Sequence, residues 1–196
     1  MRSTLSTFAA AVLLGTVPTA LTAGNYGEDR ALIEDLQARY LFALDFRDAE
    51  AYAGTFTEDG VLDYGAGQIR GRKAIREMVT GLRTRAKEQA AKDTSGLRPS
   101  AGRHSITNIV IKVNGDKATS VAYWSHMGND NPERKTIVNS FGHYEDELMK
   151  VNGEWLFSKR KIYNEVIPEW AAAGSENPVV HPGPGPKLRP PQPRPN

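Results

Sequence analysis

The 196-residue chain contains no cysteine. Disulfides, thiolate metal ligands and a lipid-modified cysteine are therefore excluded. It also lacks a long hydrophobic run: the longest, within Leu5–Leu14, falls short of the ~20 residues needed to span a bilayer. A surplus of positive charge is missing too. The formal charge of +2 includes Arg2, Lys187, Arg189 and Arg194 near the ends, and setting those four aside leaves −2. That balance gives no basis for nucleic-acid binding. The one basic cluster, Arg83, Arg85 and Lys87, is diluted by Glu88 and reads as a solvated helix face. Proline is scarce through the middle, since eight of the twelve prolines lie from Pro178 onward.

Those features divide the chain into three. Met1-Arg2, the apolar run and the small residues up to Ala23 read as an export signal over residues 1–23, and a single Arg argues against the twin-arginine type. The Pro-rich stretch over 176–196 cannot form a helix or a paired strand, because proline lacks the N–H donor and has a fixed φ. An extended, disordered tail is expected there. Between them, residues 26–175 form one domain long enough to bury a sizeable core. With a leader that is cleaved, the mature protein is expected in the periplasm or secreted, with no membrane partner.

The apolar positions Ile33, Leu36, Tyr40 and Leu44 recur at helical spacing, with Arg30, Glu34, Gln37 and Arg39 off that stripe. Asp48 is placed to cap a short helix over 49–55. Glu58-Asp59-Gly60 reads as a turn, followed by a short strand Val61–Tyr64. Ile75, Met78, Val79 and Leu82 predict a third helix, fading into a polar loop over 90–102. Four strands follow: His104–Val113, Thr119–Met127, Lys135–Val151 with a bulge at Gly142, and Trp155–Ile167. Asn114-Gly115 and Asn152-Gly153 are hairpin signals. Helices first and a long antiparallel meander after them predict an α+β domain with the helices packed on one sheet face.

This order resembles the nuclear transport factor 2-like superfamily, in its SnoaL-like (polyketide cyclase and scytalone dehydratase-type) branch. The match is carried by Arg39-Tyr40, Ala43-Leu44-Asp45 and Asp48, by Phe56-Thr57-Glu58-Asp59-Gly60, Asp63-Tyr64 and Gly71–Ile75, and by Tyr144–Leu148 and Gly153–Arg160. The resemblance implies a cone, its N-terminal helices closing a strongly curved antiparallel sheet around a pocket. It further implies a homodimer, a small hydrophobic ligand and no cofactor. Superfamily members include dehydratases, isomerases, dehydrochlorinases and plain binding modules, so the fold does not name the reaction.

By resemblance, Asp45, His104 and Tyr64 fall on the dehydratases' Asp–His pair and a tyrosine, and Tyr40 on a further tyrosine of the bile acid enzyme. Trp124 and Tyr144 stand where scytalone dehydratase has a second His and an Asn. Arg160 coincides with a catalytic Arg of the dehydrochlorinase, whose Lys is Tyr40 here. Ketosteroid isomerase shares Tyr40, but Tyr64 holds the position of its Asp base.

The implied chemistry makes His104 a base that takes a proton from carbon, with Asp45 fixing its tautomer and raising its basicity. Tyr40 is the third catalytic candidate, and Tyr64, Trp124, Tyr144 and Arg160 are expected to contact substrate. Phe56, Trp124 and Met127 are expected as apolar walls. No metal is expected, since His126 and His143 lack further well-spaced ligands. The reading is an exported dehydratase-type lyase, with a binding-only protein or an isomerase as alternatives. Tyr40 and Asp45 are five residues apart and diverge by roughly 140° on an ideal helix, so both reach one pocket only if the helix ends there.

Overall fold

The computed structural model describes residues 25–65, 67–168, 171 and 176–180. The expected leader, and the tail from residue 181, lie outside the described residues. Helices α1 (Tyr26–Asp45) and α2 (Ala49–Gly54) lead into strands β1 (Phe56–Tyr64) and β2 (Gly67–Arg70), then α3 (Arg72–Lys92). The meander follows as β3 (Gly102–Asn114), β4 (Lys117–Gly128), β5 (Ile137–Val151) and β6 (Glu154–Asn164). All six strands form one sheet in the order β2-β1-β6-β5-β4-β3. Pairing is antiparallel except between β1 and β6.

Helix α1 starts at Asn25, whose side chain accepts from the Gly27 N–H at 3.1 Å. Its inner face carries Ile33, Leu36 and Tyr40, as the periodicity predicts. Gln37 differs from the sequence expectation: it is fully buried on that face. Its amide donates to Ser120 Oγ (2.9 Å) and Asp146 Oδ2 (2.8 Å) and accepts from Arg160. Near the other end of the helix, buried Asp29 binds Lys150 Nζ (2.6 Å) and the Trp155 indole N–H (2.9 Å). These polar anchors fix α1 against β5 and β6. The Asp48 carboxylate caps α2 through the Ala51 N–H at 3.0 Å, as expected.

Three local expectations need correction. Glu58-Asp59-Gly60 is not a turn; β1 runs through it, with an irregularity against β6 between Phe56 and Val61. A Cβ on Gly60 would lie 2.9 Å from Phe56 Cβ and 3.1 Å from Phe157 O, so glycine lets the strand continue there. Strand β2 is too short to have been visible as a pattern. Gly142 is not a bulge, since it pairs in regular register with Trp124 and Asn164. It is instead a close approach, where a Cβ would lie 2.0 Å from Tyr163 O. The irregularities in β5 fall opposite His126/Met127 and at Glu147/Leu148.

The core between helices and sheet is a cluster of rings. Tyr40, Tyr52, Phe56 and Phe157 have neighbouring centroids 4.6–6.1 Å apart, and Tyr144 lies 6.2 Å from Tyr40. The fully buried Arg160 guanidinium lies 4.0–4.1 Å from the ring centroids of Tyr40, Tyr144 and Phe157. It makes a forked bond to Asp146, with both N···O distances 2.8 Å.

Candidate active site

Asp45 is the last residue of α1, and what ends the helix also places its side chain. The Arg47 N–H returns to Leu44 O (3.0 Å) and the Asp48 N–H to Ala43 O (2.9 Å). Arg47 itself has φ 52°. This is a Schellman termination with arginine in the left-handed position that glycine usually takes. The chain turns away, and the Asp45 carboxylate projects from the helix tip toward the start of β3.

His104, the third residue of β3, meets it twice. Its backbone N–H donates to Asp45 Oδ2 at 2.9 Å, and its ring Nδ1 lies 2.6 Å from Asp45 Oδ1. An ionised carboxylate only accepts, so Nδ1 carries the hydrogen and the Nε2 lone pair is left for chemistry. Burial pushes the His104 pKa below its ordinary value. The Asp45 bond raises it by less, and a charge on His126 would lower it further. Asp45 thus raises the ring's basicity, as expected from sequence, but burial outweighs it and leaves the ring less basic overall than an exposed imidazole.

His126 lies opposite His104 in the β3–β4 pairing, with ring centroids 4.4 Å apart. Its Nδ1 is 2.7 Å from Asn139 Oδ1, and the Asn139 amide donates to Asp130 Oδ1 at 2.7 Å. This chain fixes the second imidazole with Nδ1–H directed at Asn139. A Cβ on Gly102 would sit 2.1 Å from His126 Nε2, so the ring occupies space that only glycine leaves open.

The sequence pointed to His126 only as a partner for His143. His143 instead stacks on Tyr163 at 4.3 Å and binds Glu165 at 3.0 Å, away from the pair. Hairpin counting alone would set Met127 opposite His104. The irregularity between Thr107 and Val110, where Asn108 has φ 54°, shifts the register by one and brings in His126. Among the described residues, no group of three or more His, Asp or Glu side chains is placed to hold a metal ion.

A cavity of about 470 Å³ opens at the pair, between the end of α1, the inner face of α3 and the start of β3. Asp45, His104 and His126 line it, with Leu44, Leu82 and Ala86 as apolar wall. Other sequence candidates lie deeper. Tyr40 is fully buried, its hydroxyl 2.7 Å from that of Tyr52. Arg160 is held by Asp146, and Tyr144 is buried in the ring cluster with its pKa raised well above the ordinary value, chiefly by burial. Trp124 stands between, its centroid 6.0 Å from His104 and 5.9 Å from Tyr144, with its N–H donated to Tyr163 O at 3.0 Å.

Tyr64 packs against the core from β1, a strand separated from β3 by β6, β5 and β4. The structure thus brings Asp45 and His104 together, with Trp124 behind them. It holds Tyr40, Tyr144 and Arg160 in packed interior. Of the expected apolar walls, Phe56 belongs to that interior and Met127 is exposed.

The sequence profile of one family, the SnoaL-like domain, matches residues 26–161. The chain belongs to the SnoaL-like domain family. No curated protein matches it. Among solved structures, this SnoaL-like domain is similar to a protein of unknown function from Mycobacterium tuberculosis, with 29% identity and a TM-score of 0.58, covering 70% of this chain and 72% of that one. It is similar to a nuclear transport factor 2-like protein with a cystatin-like fold from Novosphingobium aromaticivorans, at 25% identity and a TM-score of 0.56, over 68% and 79% of the two chains. A third structure, from the same organism, is described provisionally as a scytalone dehydratase; it shares 24% identity and a TM-score of 0.55, over 70% and 84%. These likenesses bear out the α+β, nuclear transport factor 2-like fold of the SnoaL-like domain.

Proposed function

We propose that the chain is an exported, cofactor-independent lyase that removes water from a cyclic hydroxylated substrate. The observation that carries this reading is the doubly bonded Asp45–His104 pair, which leaves His104 Nε2 as a free base on a cavity. His104 Nε2 takes a proton from carbon, the C–H electrons form the new double bond, and the C–O bond at the neighbouring carbon breaks. The departing hydroxyl needs a proton. Tyr40, tied to Tyr52 in the core, is poorly placed to give it. His126, when protonated, is better placed: hydroxide leaves as water, and a proton then passes from His104 back to His126 across the short gap between the rings. The provisional scytalone dehydratase description of a structural relative supports the same reaction class.

The test is to incubate the purified protein with cyclic β-hydroxy ketones and follow loss of one water by mass spectrometry. Turnover in the native protein should fall about 10²–10⁴-fold in His104→Ala, the usual size of one general-base contribution. Undiminished turnover in that variant would overturn the assignment.

A second reading, a binding protein without chemistry, is favoured by the withdrawal of Tyr40 and Tyr144 from the cavity. It requires a small ligand to copurify unchanged, with an affinity indifferent to Asp45→Asn. In either reading the protein is a homodimer, joined through the open sheet face where Tyr123 and Phe141 are each more than half exposed.

A further inference from the structure

Six of the twelve arginines within residues 26–175 are held by carboxylates. Arg30, Arg39, Arg72, Arg76, Arg134 and Arg160 each pair with a carboxylate. Six others pair with no carboxylate among the described residues: Arg70, Arg83 and Arg98 do not line the cavity at His104, whereas Arg47, Arg85 and Arg103 all line it. They come from separate elements: Arg47 from the α1–α2 turn, Arg85 from α3 and Arg103 from β3. Arg103 is steadied, its guanidinium 4.6 Å over the Phe46 ring and bonded to Gly102 O at 2.6 Å. The two carboxylates of the same cavity are already engaged, Asp45 by His104 through both oxygens and Asp130 by Asn139.

A solvated basic face, the reading Arg85 received from sequence, accounts for Arg83 but not for three unpaired arginines from three elements around one concavity. Arg47 holds its charged side chain at a left-handed position where glycine would sit more easily, as Arg134 does away from the cavity.

We infer that this cavity takes an anionic substrate: a ring-bearing compound with a carboxylate or similar acidic group. Its charge lies against Arg47, Arg85 and Arg103, and its apolar body against Leu44, Leu82 and Ala86. The inference names the substrate class for the reaction proposed above and rests on the same cavity, but it requires no turnover. The fixed anion holds one end of the molecule at the rim, so that the carbon to be deprotonated lies further in, toward His104 Nε2. The acidic group also makes the ligand water-soluble, which suits a half-open cleft better than an enclosed apolar one.

The test compares 2-naphthoate with its neutral isostere 2-naphthamide on the full-length protein, by NMR titration of the His104 and His126 ring signals. Naphthoate should bind about tenfold more tightly, the scale of a screened charge contact at a protein surface. That preference should shrink at high salt, and shrink again in Arg47→Gly, Arg85→Gln and Arg103→Gln taken singly. Arg47→Gly does so without lowering the thermal midpoint, which separates lost charge from lost fold. Equal affinities, a preference that survives all three substitutions together, or no naphthoate binding at millimolar concentration would overturn the inference. Naphthoate preference without any elimination activity would sink the lyase reading alone. Elimination from neutral substrates, abolished in His104→Ala and unchanged in the arginine variants, would sink the anion inference alone.

Discussion

Opposing effects act on the His104 imidazole. Burial, and to a lesser degree a charge on His126, disfavour its charged form, and the Asp45 carboxylate favours it; burial is the largest, so the folded pKa lies below the ordinary value near 6.5. The consequence for stability has a definite sign. Above pH about 6.5 the ring is neutral folded and unfolded, and contributes nothing; as pH falls from there through the folded pKa, the unfolded chain binds the extra proton and stability is lost. An NMR titration should give a His104 midpoint below 6.5, falling further in Asp45→Asn because the effect that raises it is removed. A midpoint at or above 6.5, or one indifferent to Asp45→Asn, is inconsistent with the site as described. The same shift keeps His104 neutral, and therefore competent as a base, at neutral pH.

The end of α1 shows function and stability pulling apart within one element. A non-glycine residue in the left-handed region carries a steric cost, so Arg47→Gly should stabilise the fold by about 1 kcal/mol, seen as a higher midpoint in urea unfolding. An unchanged or lower midpoint would mean that the arginine side chain makes compensating contacts. Helix by helix, the sequence was legible where a pattern repeats: the stripe Ile33, Leu36, Tyr40 and the Asp48 cap are where spacing puts them. Asp45 was legible from family resemblance, and the helix end that frees it could be posed only as a condition. Gln37 was misread because its polar head is satisfied by residues 83 and 109 positions away. His126 was missed because a single extra residue in β3 decides what stands opposite His104, and hydrophobic periodicity barely registers one residue. The cavity arginines were invisible for a related reason: whether a cation is paired depends on distant segments that only folding brings near.

Across the whole molecule, the buried network of Gln37, Ser120, Asp146 and Arg160 ties helix to sheet inside the ring cluster. Removing one member of a buried ion pair leaves an uncompensated charge, so Asp146→Asn or Arg160→Met should cost about 3–5 kcal/mol in denaturant unfolding. A loss below about 1 kcal/mol would mean that the pair is open to water. At the same scale, light scattering should give twice the chain mass, and Phe141→Glu on the open sheet face should give a monomer; a native monomer would remove the dimer. The parallel pairing of β1 with β6 also sets an order of events during synthesis. Phe56 and Phe157 are roughly a hundred residues apart in the chain yet neighbours in the sheet, so β1 has no partner on that side until the end of the domain has been made. The hairpins β3–β4 and β4–β5 close over short distances and can form as they emerge. Helix α1 takes two of its anchors, Trp155 and Arg160, from β6, so its docking is incomplete until that strand exists. A nascent chain stopped before Trp155 should therefore remain open and protease-sensitive, and the last of these six strands to leave the ribosome is the one that completes the sheet around the first.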